Sequence, residues 1–310
     1  DQWPIGDAWA YHDWHQSGNG DMVPFMAEME TQFGAPTSLE DFERKAQMLN
    51  YVQHRAIFEG MNAHLWAPNT GRMLWMTQPA WPSSTWQILS ADYDTQASFY
   101  GVKKSSEMLH VQMDPTTFSV EISNSLPDTM KGLTVHAKVV SLENNLLAEK
   151  EEKKDAPTGT TEVFLLDLAP QIKANVVLVK LELRDAAGIL ISDNFYWIGG
   201  ESADYRKLNR LAAADVAMTA GATQAKDGVH VKVHLQNKGT TAAIQTKLTL
   251  LAADGATRVL PAYYGDNYFS LLPGEEKEIE IEAGAVKGGL SLAIRGWNVA
   301  ARVLKLVAGK

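Results

Sequence analysis

From residue 107 onward the chain alternates apolar and polar side chains in short runs separated by turn residues. Val229, Val231, Val233 and Leu235 point one way while His230, Lys232 and His234 point the other. Phe118, Val120 and Ile122 alternate with Ser119 and Glu121, and Leu133–Val139 repeats the pattern. A period of two puts every second side chain on one sheet face, so these runs read as half-buried antiparallel strands. Val163–Leu168, Val176–Leu183 and Ile189–Trp197 complete a first set, bounded by turns at 124–127, 155–159 and 185–188. That density of short strands predicts an immunoglobulin-like β-sandwich. Leu248–Ala252, Glu278–Glu282 and Leu290–Ile294, with turns at Asp254–Gly255 and Pro273–Glu275, predict a second. The run Glu149–Asp155 reads as a solvated edge strand.

The first hundred residues read differently. Seven of nine tryptophans lie before residue 87, and five of eight histidines before residue 111. Ser38 followed by Asp41 is an N-terminal capping signature. Phe42, Ala46, Leu49, Val52 and Ala56 then recur at helical spacing, which predicts a helix over 39–59 that stops at Gly60. Met73–Met76 is a continuous apolar run, expected as a strand buried on both faces, with Pro79 and Pro82 ending it in a loop.

Composition narrows the function. With 310 residues the chain is long enough for two or three domains. Thirty-seven acids against 28 bases, net −9, argue against a nucleic-acid partner. No stretch is apolar for long enough to span a membrane as a helix. The absence of cysteine excludes disulfides, thiolate metal sites and a cysteine nucleophile. The chain starts at Asp1 and has no signal-peptide pattern, so it is expected to be processed or to be a piece of something longer.

Few residues group as chemistry would require. His230 and His234 lie about 13 Å apart along one strand and cannot share a metal. His12–Asp13–Trp14–His15 leaves three readings open: a metal site, an aromatic loop lining a ligand groove, or packing. Glu28 and Glu30 read as a solvated acidic face rather than a catalytic pair, because the position before Phe33 is Gln32, and an amide is no nucleophile. The stretch from Trp75 to Trp86 is the best local site: indole faces at the end of a strand are what a sugar's C–H face stacks on. Core packing is the competing reading.

Several stretches resemble glycoside hydrolase family 2, in its branch of exo-β-glucosaminidases, β-mannosidases and endo-β-mannosidases. They are Phe33–Pro36 (FGAP), Lys45–Gln47 (KAQ), Tyr51, Arg55–Ala56 and Phe58–Glu59. Thr70–Gly71, Leu74–Trp75, Thr77–Gln78, Trp81 and Trp86–Gln87 follow, then Phe99–Gly101, Lys103–Lys104 and His110–Gln112. The resemblance implies the last βα units of a (β/α)8 barrel over 1–105, then two immunoglobulin-like β-sandwich domains over 106–200 and 201–310. It implies a retaining β-glycosidase whose two catalytic glutamates precede Asp1, leaving no catalytic residue, metal or cofactor here and this chain inactive alone. Trp75, Trp81 and Gln78 would wall the sugar site, with His12 and Trp14 on a loop toward the aglycone. The implied partners are the N-terminal portion of the same enzyme (jelly roll, sandwich and remaining barrel) and an oligosaccharide.

Thr77–Gln78 and Trp9–Tyr11–His12 resemble the endo-β-mannosidase version and tilt the substrate toward β-mannosides, including the β-mannosyl-GlcNAc linkage of N-glycans. Pro79–Ala80 departs from that pattern. The alternatives are an exo-β-D-glucosaminidase and a non-catalytic carbohydrate-binding sandwich protein. A secreted or periplasmic location is expected. Severing the barrel would leave Met73–Met76 and much of the helix 39–59 without packing partners.

Overall fold

The computed structural model describes residue 3 and residues 22–82 and 87–308. Three helices open it: α1 (Met22–Phe33), α2 (Leu39–Asn62) and α3 (Ala97–Ser105). Gly34, at φ +82°, closes α1, a conformation that favours glycine. Extended Ser38 caps α2, its Oγ accepting from the Asp41 N–H at 3.1 Å. The Asp41 carboxylate reaches back to the Thr37 N–H at 3.0 Å. These bonds and two acids in the first turn explain why the helix starts here. It runs through Gly60 to Asn62, because its far end is held by burial: Phe58, Glu59 and Asn62 are all enclosed.

The helix is therefore not left without partners, contrary to the sequence expectation. Its buried face carries Phe42, Ala46, Leu49 and Tyr51 against the rest of the molecule. α3 crosses α2 at Gly101, where an added Cβ would stand 2.6 Å from the Tyr51 carbonyl oxygen. Only glycine allows that approach.

Seven strands follow. β1 (Leu109–Met113), β2 (Ser119–Asn124) and β5 (Gly159–Leu165) form one sheet in the order β1-β2-β5. β3 (Met130–Ser141), β4 (Leu146–Ala156), β6 (Val177–Arg184) and β7 (Leu190–Ile198) form the other, in the order β4-β3-β6-β7. A short helix, α4 (Ala169–Ala174), links β5 to β6. All pairings in both sheets are antiparallel. Val111, Val120, Ile122, Val135, Val179 and Leu181 belong to one buried cluster, the core of a sandwich. β4, carrying Glu149–Asp155, is an edge, and its charges oppose pairing with another chain.

A 3-10 helix (Ser202–Arg210) leads to β8 (Val216–Gln224), β9 (Val229–Asn237), β10 (Ala243–Ala252), β11 (Ala262–Tyr264), β12 (Phe269–Leu271), β13 (Glu276–Ala283), β14 (Leu290–Arg295) and β15 (Arg302–Ala308). They form one ladder in the order β11-β13-β9-β8-β15-β14-β10-β12. Its one parallel junction joins β15 to β8, Val307 beside Gly221. Val229, Val231, Val233 and Leu235 are buried as the alternation requires.

Residues 73–76 are not a strand. They have no ladder partner, and Met73 is 95% and Trp75 83% exposed. A strand buried on both faces needs neighbours at both edges and cover on both sides. Among the described residues before 109 only isolated bridges occur, at Leu65–Asn69 and Leu89–Thr95. The described chain is thus mostly β-sheet, and its first third is helical and irregular.

Candidate functional site

The loop after α2 carries the residues to which the resemblance assigned a sugar. It is pinned at several points. Trp66 takes φ +70°, donates its backbone N–H to the Asn69 carbonyl at 2.9 Å, and reaches Thr158 Oγ1 with its indole N–H at 3.1 Å. Farther on, the Leu89 N–H bonds the Thr77 carbonyl at 3.0 Å, and Pro79 is buried. Between these anchors Trp75 is exposed, Gln78 is half-buried and Trp81 is 57% exposed. Large indoles left open on an anchored loop give a flat apolar surface with little rotamer freedom to lose on contact. His12, Trp14 and Trp86 lie outside the described residues.

The other residues of the resemblance have a different place. Arg55, 4% exposed, donates from Nη1 to Asn194 Oδ1 at 3.0 Å and to the Phe195 carbonyl at 2.6 Å. Its guanidinium lies 4.1 Å over the Tyr196 ring. Glu59, one turn on, accepts from Asn194 Nδ2 at 2.6 Å and the Tyr196 hydroxyl at 3.0 Å, and faces His110 Nε2 at 3.3 Å. His110 Nδ1 meets Glu107 Oε2 at 3.0 Å, and Ser192 Oγ donates to that same carboxylate at 2.6 Å. Gln112 Nε2 donates to the Glu59 carbonyl at 3.0 Å.

The network continues into the last sheet. Lys104 Nζ bridges Glu107 at 3.0 Å and Asp193 at 2.8 Å. Lys180 holds the other Asp193 oxygen at 2.8 Å, and Lys277 pairs with Asp266 at 2.8 Å. The titrations follow. Burial pushes the Glu59 carboxyl up, but the Arg55 charge and the His110 bond outweigh it and hold the group below the usual range. Burial pushes His110 down, and its bonds to Glu107 and Glu59 outweigh that and raise it. Asp193 is held well below the usual range by Lys277, Lys180 and Lys104, against burial. A carboxylate so fully paired is no reservoir of protons for acid–base chemistry. The network locks α2, α3, the first sandwich and the last sheet together.

Lys45 has a similar role in the KAQ stretch. Its ammonium donates to the Gly34 and Ala35 carbonyls at 3.1 and 3.0 Å, fixing the α1–α2 turn. Gln47 Oε1 accepts from the Ala97 N–H at 2.8 Å, at the start of α3. His230 and His234 are part-exposed, within 4 Å of Glu282 and Glu276 respectively, as cross-strand polar neighbours on β9 and β13. No group of three or more His, Asp or Glu suited to a metal occurs among the described residues.

Residues 194–299 match the exo-β-D-glucosaminidase Ig-fold domain. The chain is 30% identical over 302 residues to the exo-β-D-glucosaminidase of Hypocrea virens, covering 89% of this chain and 34% of the relative. It is 26% identical over 333 residues to the mannosylglycoprotein endo-β-mannosidase of Lilium longiflorum, covering 86% of this chain and 34% of the relative. The solved exo-chitosanase CsxA of Amycolatopsis orientalis superposes with a TM-score of 0.89 at 26% identity, over 98% of this chain and 39% of that one. The chain spans about a third of the length of the curated relatives it matches.

Proposed function

We propose, from the premise that this chain is a homologue of exo-β-D-glucosaminidases and endo-β-mannosidases of glycoside hydrolase family 2, that it forms the C-terminal part of a retaining β-glycosidase. Residues 1–105 would be the end of the catalytic barrel, and 106–200 and 201–310 its two trailing sandwiches. The reaction class needs two carboxyl groups ~5–5.5 Å apart on either side of the scissile bond. The catalytic glutamates would come from the remainder of the enzyme.

The observation that carries this reading is that Trp75 and Trp81 are both open on a loop held at Thr77, with Gln78 between them in sequence. Indole faces would stack on the sugar, and the Gln78 amide would bond its hydroxyls, with His12 and Trp14 toward the aglycone. Two sugars fit the relatives. A β-D-glucosaminide is favoured by the matched domain and by the chain's net charge of −9, which draws a cationic amino sugar. A β-mannoside, including a β-mannosyl-GlcNAc linkage, is favoured by Thr77–Gln78 and the Lilium longiflorum relative. Aryl β-D-glucosaminide and aryl β-mannoside assays of the chain joined to its remaining polypeptide separate the two. The chain alone is expected to turn over neither, and robust hydrolysis by residues 1–310 would overturn the proposal.

A further inference from the structure

Between α2 and the last sheet lies a cleft of about 410 Å³, none of whose residues belongs to the loop 63–82. That volume accommodates a small ligand. Gln245 of β10 lines it, and is 6% exposed. Its side-chain nitrogen and oxygen both lack a hydrogen-bond partner. Buried amides are almost always paired, because an unmade bond forfeits the solvation lost on burial. The backbone N–H of the same residue is satisfied, by Ser270 Oγ at 3.2 Å, so only the side chain is left over.

The backbone around the cleft is unusual too. Gln245 takes φ +51° and Tyr268, which also lines the cleft, φ +54°. The pairing of β10 with β12 slips between Ala243 and Thr246, an irregularity that takes in Ile244 and Gln245. Bulges re-aim side chains, and left-handed non-glycine residues collect where function requires them.

The walls say what would fit. Acids Glu40, Asp41 and Glu43 balance bases Arg44, Lys247 and Arg295. Five of the six are already paired: Arg295 and Lys247 with Glu43, Arg44 with Asp41. The Trp297 ring is covered by the Arg44 guanidinium at 4.4 Å, so the cleft has no free indole for stacking. A balanced, fixed set of donors and acceptors demands no net charge of its ligand and offers little to an apolar one. Hydroxyl groups, which donate and accept at once, suit it, and an amide matches two neighbouring hydroxyls.

We propose that this cleft is a second saccharide site, binding a neutral, polyhydroxylated sugar through the Gln245 amide and the paired charges at its mouth. It does not rest on the sugar-wall reading of Trp75 and Trp81.

The test is calorimetric titration of the full chain with β-1,4-mannobiose and with N,N′-diacetylchitobiose. Gln245→Leu keeps the volume and removes the amide. It is expected to weaken binding about tenfold or more while leaving the thermal midpoint unchanged or raised, since an unsatisfied amide is gone. Trp75→Ala, which removes the proposed sugar wall, is expected to retain the Gln245-dependent binding. Unaltered affinity in Gln245→Leu would overturn the proposal, as would loss of binding in Trp75→Ala or no binding of either sugar at millimolar concentration. If Gln245→Leu does not fold, hydrogen exchange of the unaltered chain decides. Sugar-dependent protection is expected in 243–247 and 268–271, and its absence there overturns the site.

Discussion

The C-terminal half of α2 and the loop that follows it are neighbours in sequence and opposites in environment. Arg55 and Glu59 are enclosed and bonded on every side, whereas Trp66, Trp75 and Trp81 stand open. Both stretches carry residues of the family resemblance, for different physical reasons. A buried charge is tolerated only with its partners in place, so the identity of each member is set by the others. An exposed indole has no such packing reason for its identity. Resemblance alone does not separate the two; burial and hydrogen-bond partners do.

The sharpest way to break this contrast is to remove one side of the buried pair. Arg55→Ala would leave the buried Glu59 carboxylate without its guanidinium and take one donor each from Asn194 Oδ1 and the Phe195 carbonyl. The expected loss is ~3–5 kcal/mol in urea-induced unfolding. A loss under about 1 kcal/mol would show that the junction does not depend on this network and that Arg55 is free for another role.

A milder probe is pH. His110 is raised above its unfolded value of 6.5 by Glu107 and Glu59, despite burial. Its contribution to stability is therefore present in full below that value and is lost as pH rises through the raised one. Glu59, Glu107 and Asp193 are held low, so theirs are present above the ordinary carboxylate range and lost as pH falls through the lowered values. The urea midpoint should decline on both sides, and His110→Gln should flatten the alkaline limb and weaken the acid one, since His110 also helps hold Glu59 and Glu107 low. An unchanged alkaline slope in that variant would remove His110 from the account.

What the chain discloses by itself follows the same division. The α2 start is legible in Ser38 and Asp41, and many of the strands in their alternation, because both are local signals. β8 is hidden by its small residues, Ala217 to Thr223, and β11 and β12 by having three residues each. Met73–Met76 misleads because an apolar run specifies a buried strand only when neighbouring strands enclose it. The junction network is unreadable as a unit: His110 and Gln112 lie in one run, while Ser192, Asn194 and Tyr196 come some eighty residues later. Gln245 leaves a faint trace, a polar residue where the alternation of β10 breaks.

The smallest stability effect belongs to the other side of the contrast. Trp75→Ala removes an 83% exposed ring that seals no core, so unfolding should shift by no more than ~0.5 kcal/mol. If the chain works as proposed, in the full glycosidase the same change should lower kcat/KM on an aryl glycoside about tenfold, the equivalent of one good stacking contact. Trp75 and Arg55 thus form a crossed pair: one change spares the fold and harms turnover, and the other harms the fold. Should Trp75→Ala instead destabilise the chain by several kcal/mol, the loop would be scaffold like the junction. Should it leave turnover untouched, the sugar wall would have to be sought elsewhere on the molecule.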